Sequence, residues 1–455
     1  MKSADENVSP LTKPKLSQRL TSWAFLMIFL LTASLHFLLP HIGSVRRWGG
    51  KATWDSIYEN TMYSRVVIFG NYFDDGFIRR GLGGTLAVAL SGNSRLGIFL
   101  FVLFSVAFMV LPLAILASRL ARSLSLASAA YLVAVVLVSP QTFVGWSSDL
   151  VRTDMLAGGF IAWSVLAALS SRRWLAVFLV LGGILAHEVA FIFGAPLLVA
   201  VFHEDVRTGT LGRRPALDLV LGLVAGAVTI VGLQFAFSTP AAVLAANMVR
   251  AFPTAPKDQI WRDIAIYMAV GGKNAVATAM CHNFSLNPKW PITTALCMLI
   301  LTAYALILPL WRKPVAVLLA MWIPVLFMLI IANDVGRWLK LGVLNAWLLT
   351  AFLALRSVAS VRLTWPWMAL GASTLGVLLM MGPTPHSDIN YYTRHLIVRL
   401  GFEYKATPEQ WLDTCDPGWR SIVYGPPFKS CKGCDSYLNQ KRKNGHIDNG
   451  SFYKR

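Results

Sequence analysis

The chain has 455 residues, of which 56% are hydrophobic and only 14% are charged, and its formal net charge is +19. A water-soluble domain carries about a quarter charged residues, so this composition excludes a chain that mostly faces water. The positive charge does not indicate nucleic-acid binding, because the basic residues are scattered between apolar runs. Such scatter is typical of membrane topology and of contacts with anionic membrane lipids.

Apolar runs of about 20 residues recur along the chain, and each is long enough to cross a hydrocarbon core. The sequence therefore predicts an all-α fold, a polytopic transmembrane helical bundle of about 11 spans. Residues 1–22 are predicted to be a cytoplasmic segment, 23–382 the transmembrane domain, and 383–455 an extracytoplasmic polar tail. The predicted spans are 23–40, 96–117, 126–142, 154–170, 174–187, 189–203, 216–237, 291–310, 315–333, 339–355 and 363–382.

The stretch 174–203 decides the topology, because it is too long for one span and short for two. Two short helices meeting at His187 and Glu188 keep Arg173 and Arg207 on the same side, whereas a single span would separate them. We therefore predict a helical hairpin. With the basic N-terminus inside, all the arginine-rich links then fall on the cytoplasmic side.

Two long segments fall on the outer face in this topology. Residues 41–95 contain apolar and aromatic residues at helical spacing over 54–69, which predicts a helix lying in the membrane interface. Residues 239–290 form the second outer segment. In the tail, the pair Cys431 and Cys434 alone is a weak metal signal, and a disulfide with Cys415 is an alternative.

Charged and aromatic residues at the ends of predicted spans form four groups, all on the predicted outer face. Such charges at a bilayer are costly, and a functional site is the default interpretation. We expect these groups to line one polar cavity. They are Asp74, Asp75, Arg79 and Arg80; Asp149, Arg152 and Asp154; His187 and Glu188; and Asp334, Arg337 and Trp338.

Asp75, or its neighbour Asp74, is the candidate general base for an acceptor hydroxyl. Helix capping by these carboxylates is the structural alternative. The candidate phosphate ligands are arginines, because a guanidinium holds phosphate with two parallel hydrogen bonds, although anchoring to lipid headgroups competes with this role. They are Arg79, Arg80, Arg152 and Arg337.

The other members of the four groups are expected to orient or bind substrate. Asp149 and Arg152 have the spacing of a salt bridge within one helix, which would orient Asp154. His187 and Glu188 at the tip of the hairpin suit a phosphate oxygen or an acceptor sugar, and they lack the spacing of a zinc protease. Asp334 repeats the salt-bridge spacing with Arg337, and the flat ring of Trp338 suits either a sugar or an interfacial aromatic belt.

This combination of motifs resembles the GT-C superfamily of integral-membrane glycosyltransferases, and also uncharacterised bacterial membrane proteins of polysaccharide loci. The resemblance covers residues 20–360 and rests on the long acidic first outer loop, on short irregular spans and on the four charged groups. It implies a polyprenyl-phosphate- or diphosphate-linked sugar donor, used on the periplasmic face of a bacterial inner membrane. It also implies that Asp74 or Asp75 acts as base or as ligand of a divalent metal.

The expected function is therefore a membrane glycosyltransferase that builds or modifies a cell-surface glycan, as a polymerase or by adding one sugar. Better-known members carry a large folded outer C-terminal domain that this chain lacks, which favours a glycan or lipid acceptor over a protein. A flippase or transporter of lipid-linked oligosaccharide is an alternative, although no inverted repeat is visible. A membrane O-acyltransferase with His187 as base is the third hypothesis.

Overall fold

The structure of the chain, a computed structural model, describes residues 16–48, 70–74, 77, 80–91, 95–139, 141–143, 146, 153–237, 290–331, 335–356 and 363–380. Throughout these residues the regular secondary structure is helical, with no strand. The helices are α1 (Leu16–Trp48), α2 (Gly81–Ser91), α3 (Arg95–Ser123), α4 (Leu126–Val138), α5 (Asp154–Leu169), α6 (Arg173–Ala186), α7 (Val189–Arg207), α8 (Arg213–Phe237), α9 (Trp290–Ile307), α10 (Pro314–Val317), α11 (Ile323–Ile331), α12 (Val335–Arg356) and α13 (Trp365–Met380), with a π-helical turn at Leu318–Trp322 between α10 and α11.

The all-α prediction is confirmed for this part of the chain, and every predicted span contains an apolar helix. Among the described residues, four helices are long and apolar enough to cross a membrane, namely Leu100–Ser123, Val189–Arg207, Arg213–Phe237 and Gly336–Arg356. These helices are compatible with an integral membrane protein. The number of spans and the orientation in the membrane stay predictions.

Several predictions fall on parts of the chain outside the described residues. The interfacial helix over 54–69 is one of them. The others are the outer segment 239–289 and the tail 383–455.

Helix α2 was not anticipated, because its sequence begins with glycines that suggest a loop. A Cβ added at Gly83 would lie 3.0 Å from Cγ2 of Thr153, so the close backbone approach expected in this stretch is present.

The hairpin predicted for 174–203 is present as α6 and α7, which reverse direction across His187 and Glu188. Arg173 at the start of α6 pairs with Asp205 near the end of α7, at 2.9 Å between Nη2 and Oδ2. This contact requires the two helices to run antiparallel. The single-span alternative is therefore excluded.

Helix α12 is the centre of the bundle and is buried along nearly its whole length. Its Asn345 amide donates hydrogen bonds to the carbonyl of Phe193 at 2.9 Å and to that of Ala320 at 2.8 Å. Ala320 belongs to the π-helical turn, where the wider hydrogen-bond spacing offsets carbonyls from the regular helical pattern. One polar side chain thus ties α12 to two neighbours inside an apolar core.

Contacts between helices define two ends of the bundle. We call one the His187 end, where α6 ends and α5, α7 and α12 begin. We call the other the Asp205 end, where α3, α5, α7 and α12 end. The assignment of α3 follows from its parallel packing on α5, because Gly83 lies against both Phe101 and Thr153, and Phe108 lies against Gly159 further along both helices.

Candidate functional site

The site is built around a buried ion pair between Arg337 in the first turn of α12 and Asp154 at the start of α5. Nε and Nη2 of Arg337 donate to Oδ2 and Oδ1 of Asp154, each at 2.7 Å. Both residues are 6% exposed. A buried charge is tolerated when it is paired and hydrogen-bonded, and this bidentate geometry satisfies that condition.

His187 follows the last residue of α6 and is 1% exposed. Its Nε2 lies 3.5 Å from Oδ1 of Asp154, and its Nδ1 lies 3.4 Å from Oε2 of Glu188. The backbone N–H of Val189 donates to Nδ1 at 3.2 Å. Because Nδ1 accepts this bond, the neutral imidazole carries its proton on Nε2, the nitrogen that faces Asp154.

Glu188 extends the group of charges toward the surface. Its Oε2 accepts from Nε of Arg80 at 2.9 Å, and its Oε1 contacts Nη2 of the same guanidinium. Arg80 stands immediately before α2 with a φ of +62°. A non-glycine residue in this region costs about 1–3 kcal/mol and persists where surrounding contacts hold it, as the pair with Glu188 does here.

Trp338 packs beside the histidine at the start of α12. Its ring meets the His187 ring edge to face at a centroid distance of 6.4 Å, and the guanidinium carbon of Arg337 lies 5.0 Å from its centroid. The side chain is 3% exposed, which excludes the predicted alternative of an interfacial belt residue. Its buried indole N–H has no hydrogen-bond partner among the described residues.

Residues 70–74 of the predicted first outer segment are fixed against the same end of the bundle. The hydroxyl of Tyr72 donates to the carbonyl of Leu185 at 3.2 Å, and its backbone N–H donates to Oγ1 of Thr85 at 2.8 Å. Partial burial raises the pKa of Tyr72 to about 12, so the phenol stays a neutral donor at physiological pH.

Asp74, one of the two predicted bases, is exposed on this segment. Its Oδ2 accepts from the side-chain amide of Asn71 at 2.9 Å, and Oδ1 of Asn71 accepts from the backbone N–H of Asp74 at 3.0 Å. Asp74 forms no hydrogen bond or ion pair with the His187 group within the described chain. It therefore contributes to a local turn with Asn71, and its roles as base or as helix cap stay predictions.

Apart from Asp74, the predicted site residues thus fall into two sets. Arg80, Asp154, His187, Glu188, Arg337 and Trp338 form one connected group, which we call the His187 cluster. Asp75, Arg79, Asp149, Arg152 and Asp334 lie outside the described residues, and their roles stay predictions. Where the spacing predicted that Arg152 orients Asp154, the partner found in the structure is Arg337.

Lys340 is a residue that sequence reasoning overlooked. It lies three residues after Arg337, on the same face of α12, and is 2% exposed. The sequence did indicate this residue, because a cationic side chain within an apolar span is by default a candidate functional residue. We missed it because the span was taken to start at residue 339, which made Lys340 look like a residue at a membrane boundary.

No group of three or more histidine, cysteine, aspartate or glutamate side chains arranged to hold a metal ion occurs among the described residues. The divalent metal that the resemblance implies stays a prediction. Comparison with models of protein families, with curated proteins and with solved structures finds no match to this chain.

The arrangement alternates positive and negative groups from Arg80 through Glu188, His187 and Asp154 to Arg337. A guanidinium has five N–H donors, and a bidentate carboxylate pair takes two of them. Each carboxylate therefore fixes the plane of its arginine. Such an arrangement suits the binding of a phosphate next to a proton donor.

Proposed function

We propose that the protein is a membrane glycosyltransferase that uses a polyprenyl-phosphate- or diphosphate-linked sugar to build or modify a cell-surface glycan. The observation that carries the proposal is the His187 cluster. It joins two arginines, two carboxylates and a histidine from distant parts of the chain at one end of an apolar helical bundle. A lipid-linked phosphate substrate needs this combination of cationic groups beside an apolar surface.

The reaction breaks the bond between the sugar C1 and the phosphate oxygen, and forms a bond between C1 and the acceptor oxygen. The electron pair leaves with the phosphate, whose growing charge Arg337 and Arg80 stabilise. Asp75, or Asp74, accepts the proton of the acceptor hydroxyl. Asp154 and Glu188 act as positioning residues, because each holds one of the two arginines in a bidentate pair.

Trp338 and His187 provide the remaining contacts to substrate. Leaving a buried donor without a partner costs about 1–3 kcal/mol, so the indole N–H of Trp338 favours a ligand oxygen, such as a sugar hydroxyl. The Nε2–H tautomer of His187 makes it a donor beside Asp154. Both are expected to act on substrate position.

The test is complementation of a strain that lacks the gene, with the surface glycan analysed by gel electrophoresis and mass spectrometry. Asp75→Asn and Arg337→Lys are expected to abolish glycan extension at unchanged protein levels in the membrane. Arg356→Lys at the Asp205 end is the matched control and should extend the glycan normally. Normal glycan from a folded Asp75→Asn variant would overturn the assignment of the base.

The same experiment separates the alternatives. A flippase or transporter predicts that purified protein in vesicles moves a lipid-linked oligosaccharide without forming a glycosidic bond. An O-acyltransferase predicts that the glycan changes by the mass of an acyl group while its sugar composition stays constant. Either result would replace the glycosyltransferase proposal.

A further inference from the structure

The Asp205 end carries a second feature with the properties of a binding site, at the contact between α1 and α3. Oγ of Ser22 on α1 lies 2.5 Å from Oγ of Ser118 on α3, and both serines are buried. Nε of Arg122 donates to Oγ of Ser22 at 2.6 Å. These small polar residues hold the two helices together within an apolar surrounding.

A cavity of about 280 Å³ lies beside this contact. Its lining combines an aromatic ring, two aliphatic side chains, a hydroxyl and two guanidiniums, contributed by Trp23, Leu26, Ile115, Ser118, Arg119 and Arg122. The volume equals that of about nine water molecules at about 30 Å³ each. It therefore accommodates a phosphate group and the beginning of an acyl chain.

The two arginines of this cavity differ from the other arginines that hold the bundle together. Arg119 and Arg122 lie on one face of α3, three residues apart. Within the described chain no carboxylate lies within 4.0 Å of either guanidinium, whereas Arg173 and Arg337 are each paired with a buried aspartate. Two adjacent cations without acidic partners favour an anion as their ligand.

The surroundings of the cavity indicate what kind of anion binds. Trp23 is 58% exposed, and its exposed neighbours on α1 include Arg19 on one side and the apolar side chains of Leu20, Met27 and Ile28. In a membrane this face contacts acyl chains. A ligand that enters from this face must itself be amphiphilic, with an anionic head for the arginines and an apolar part for Leu26 and Ile115.

We propose that this cavity binds an anionic glycerophospholipid from the leaflet next to the Asp205 end. The lipid phosphate lies on Arg119 and Arg122, its first acyl methylenes lie against Leu26 and Ile115, and Trp23 packs at the boundary between head and chain. The site is at the opposite end of the bundle from His187. It does not depend on the proposed transferase activity.

The test is native mass spectrometry of the full-length protein in detergent, titrated with phosphatidylglycerol or phosphatidylcholine. Wild-type protein is expected to retain phosphatidylglycerol preferentially. Arg119→Gln combined with Arg122→Gln should lower this affinity about 30-fold, since each basic residue near an anionic lipid contributes about fivefold. The matched control combines Arg213→Gln and Arg214→Gln, two exposed arginines at the start of α8, and should keep the wild-type affinity.

Two further measurements make the proposal falsifiable even where the arginine variants fail to fold. Ile115→Trp fills the cavity but keeps both charges, and it should also lose phosphatidylglycerol. A photoactivatable phosphatidylglycerol should crosslink wild-type protein on peptides that contain Trp23 and Ile115. Equal retention of both lipids, crosslinks confined to other helices, or equally tight binding of soluble glycerol phosphate would overturn the proposal.

Discussion

The His187 end and the Asp205 end of the bundle are both built on a buried arginine–aspartate pair, but the groups around the two pairs differ. At the Asp205 end, Nε and Nη2 of Arg173 both donate to Oδ2 of Asp205, and Oγ1 of Thr210 donates to Oδ1 at 3.0 Å. Nε of Arg356 lies 3.4 Å from the same Oδ1. This group stabilises the turn after α7. It holds the start of α6 against the ends of α7 and α12.

At the His187 end, the pair of Arg337 and Asp154 adjoins groups that a purely structural clamp does not need. A histidine stands between two carboxylates, and the indole N–H of Trp338 lacks a partner in the described chain. Arg80 is held at a positive φ by Glu188. Charge at a helix end alone therefore does not identify a binding site. A buried hydrogen-bond donor without a partner, or a strained backbone conformation beside that charge, does.

The largest expected effect comes from removing one member of each pair. Arg337→Ala should destabilise the protein by about 3–5 kcal/mol, because it removes the bidentate partner of the buried Asp154. Arg173→Ala should cost less, because Arg356 remains 3.4 Å from Asp205. Thermal unfolding in detergent measures both. Only Arg337→Ala should also abolish glycan extension per folded molecule. Loss of activity in a folded Arg173→Ala variant would contradict the distinction between the two ends.

The next effect concerns the hairpin that carries His187. A Cβ added at Gly183 would lie 2.5 Å from Cβ of Ala190, so Gly183→Ala overpacks the hairpin and should cost about 1–3 kcal/mol. Gly232→Ala is the matched control, because nothing lies within 4 Å of a Cβ added there, and helix propensity predicts a gain of about 1 kcal/mol. Equal stability of the two variants would contradict the close approach of α6 and α7.

Variants of two tryptophans test whether the indole N–H of Trp338 donates to a ligand. Trp338→Phe removes an indole N–H without a partner and should leave stability unchanged or raise it by about 1 kcal/mol, while substrate KM rises. Trp347→Phe removes an N–H that donates to the carbonyl of Leu132 at 2.8 Å, and should cost about 1 kcal/mol. A Trp338→Phe variant with wild-type KM would show that the indole N–H does not contact substrate.

The smallest effect is expected at Tyr72. Tyr72→Phe loses the hydrogen bond to Leu185, which is worth about 1 kcal/mol. Because the pKa is raised to about 12 in the folded protein, the contribution of this phenol to stability is complete below pH 10 and is lost as the pH rises from 10 towards 12. Unfolding measured at pH 7 and pH 11 should therefore show a smaller difference between wild type and variant at the higher pH.

The helical architecture and part of the candidate site could be predicted from the sequence, for physical reasons. Apolar runs located the helices because burial in a core or membrane excludes charge, and the arginine pattern located the hairpin at His187 and Glu188. The pairing of Arg337 with Asp154 was out of reach, because spacing along one helix favours partners three or four residues away. Asp205 was missed for the same reason, since its partner Arg173 comes from another helix.

The two-residue turn between α6 and α7 has a consequence for how substrate preference can change. His187 and Glu188 are fixed by two packed helices that Gly183 allows to approach closely, so their positions depend on rigid backbone. Asp74 projects from an irregular segment joined to this scaffold through Tyr72 and Thr85. If the proposed function holds, we therefore expect changes in that segment, rather than in the hairpin, to alter which acceptor the protein uses.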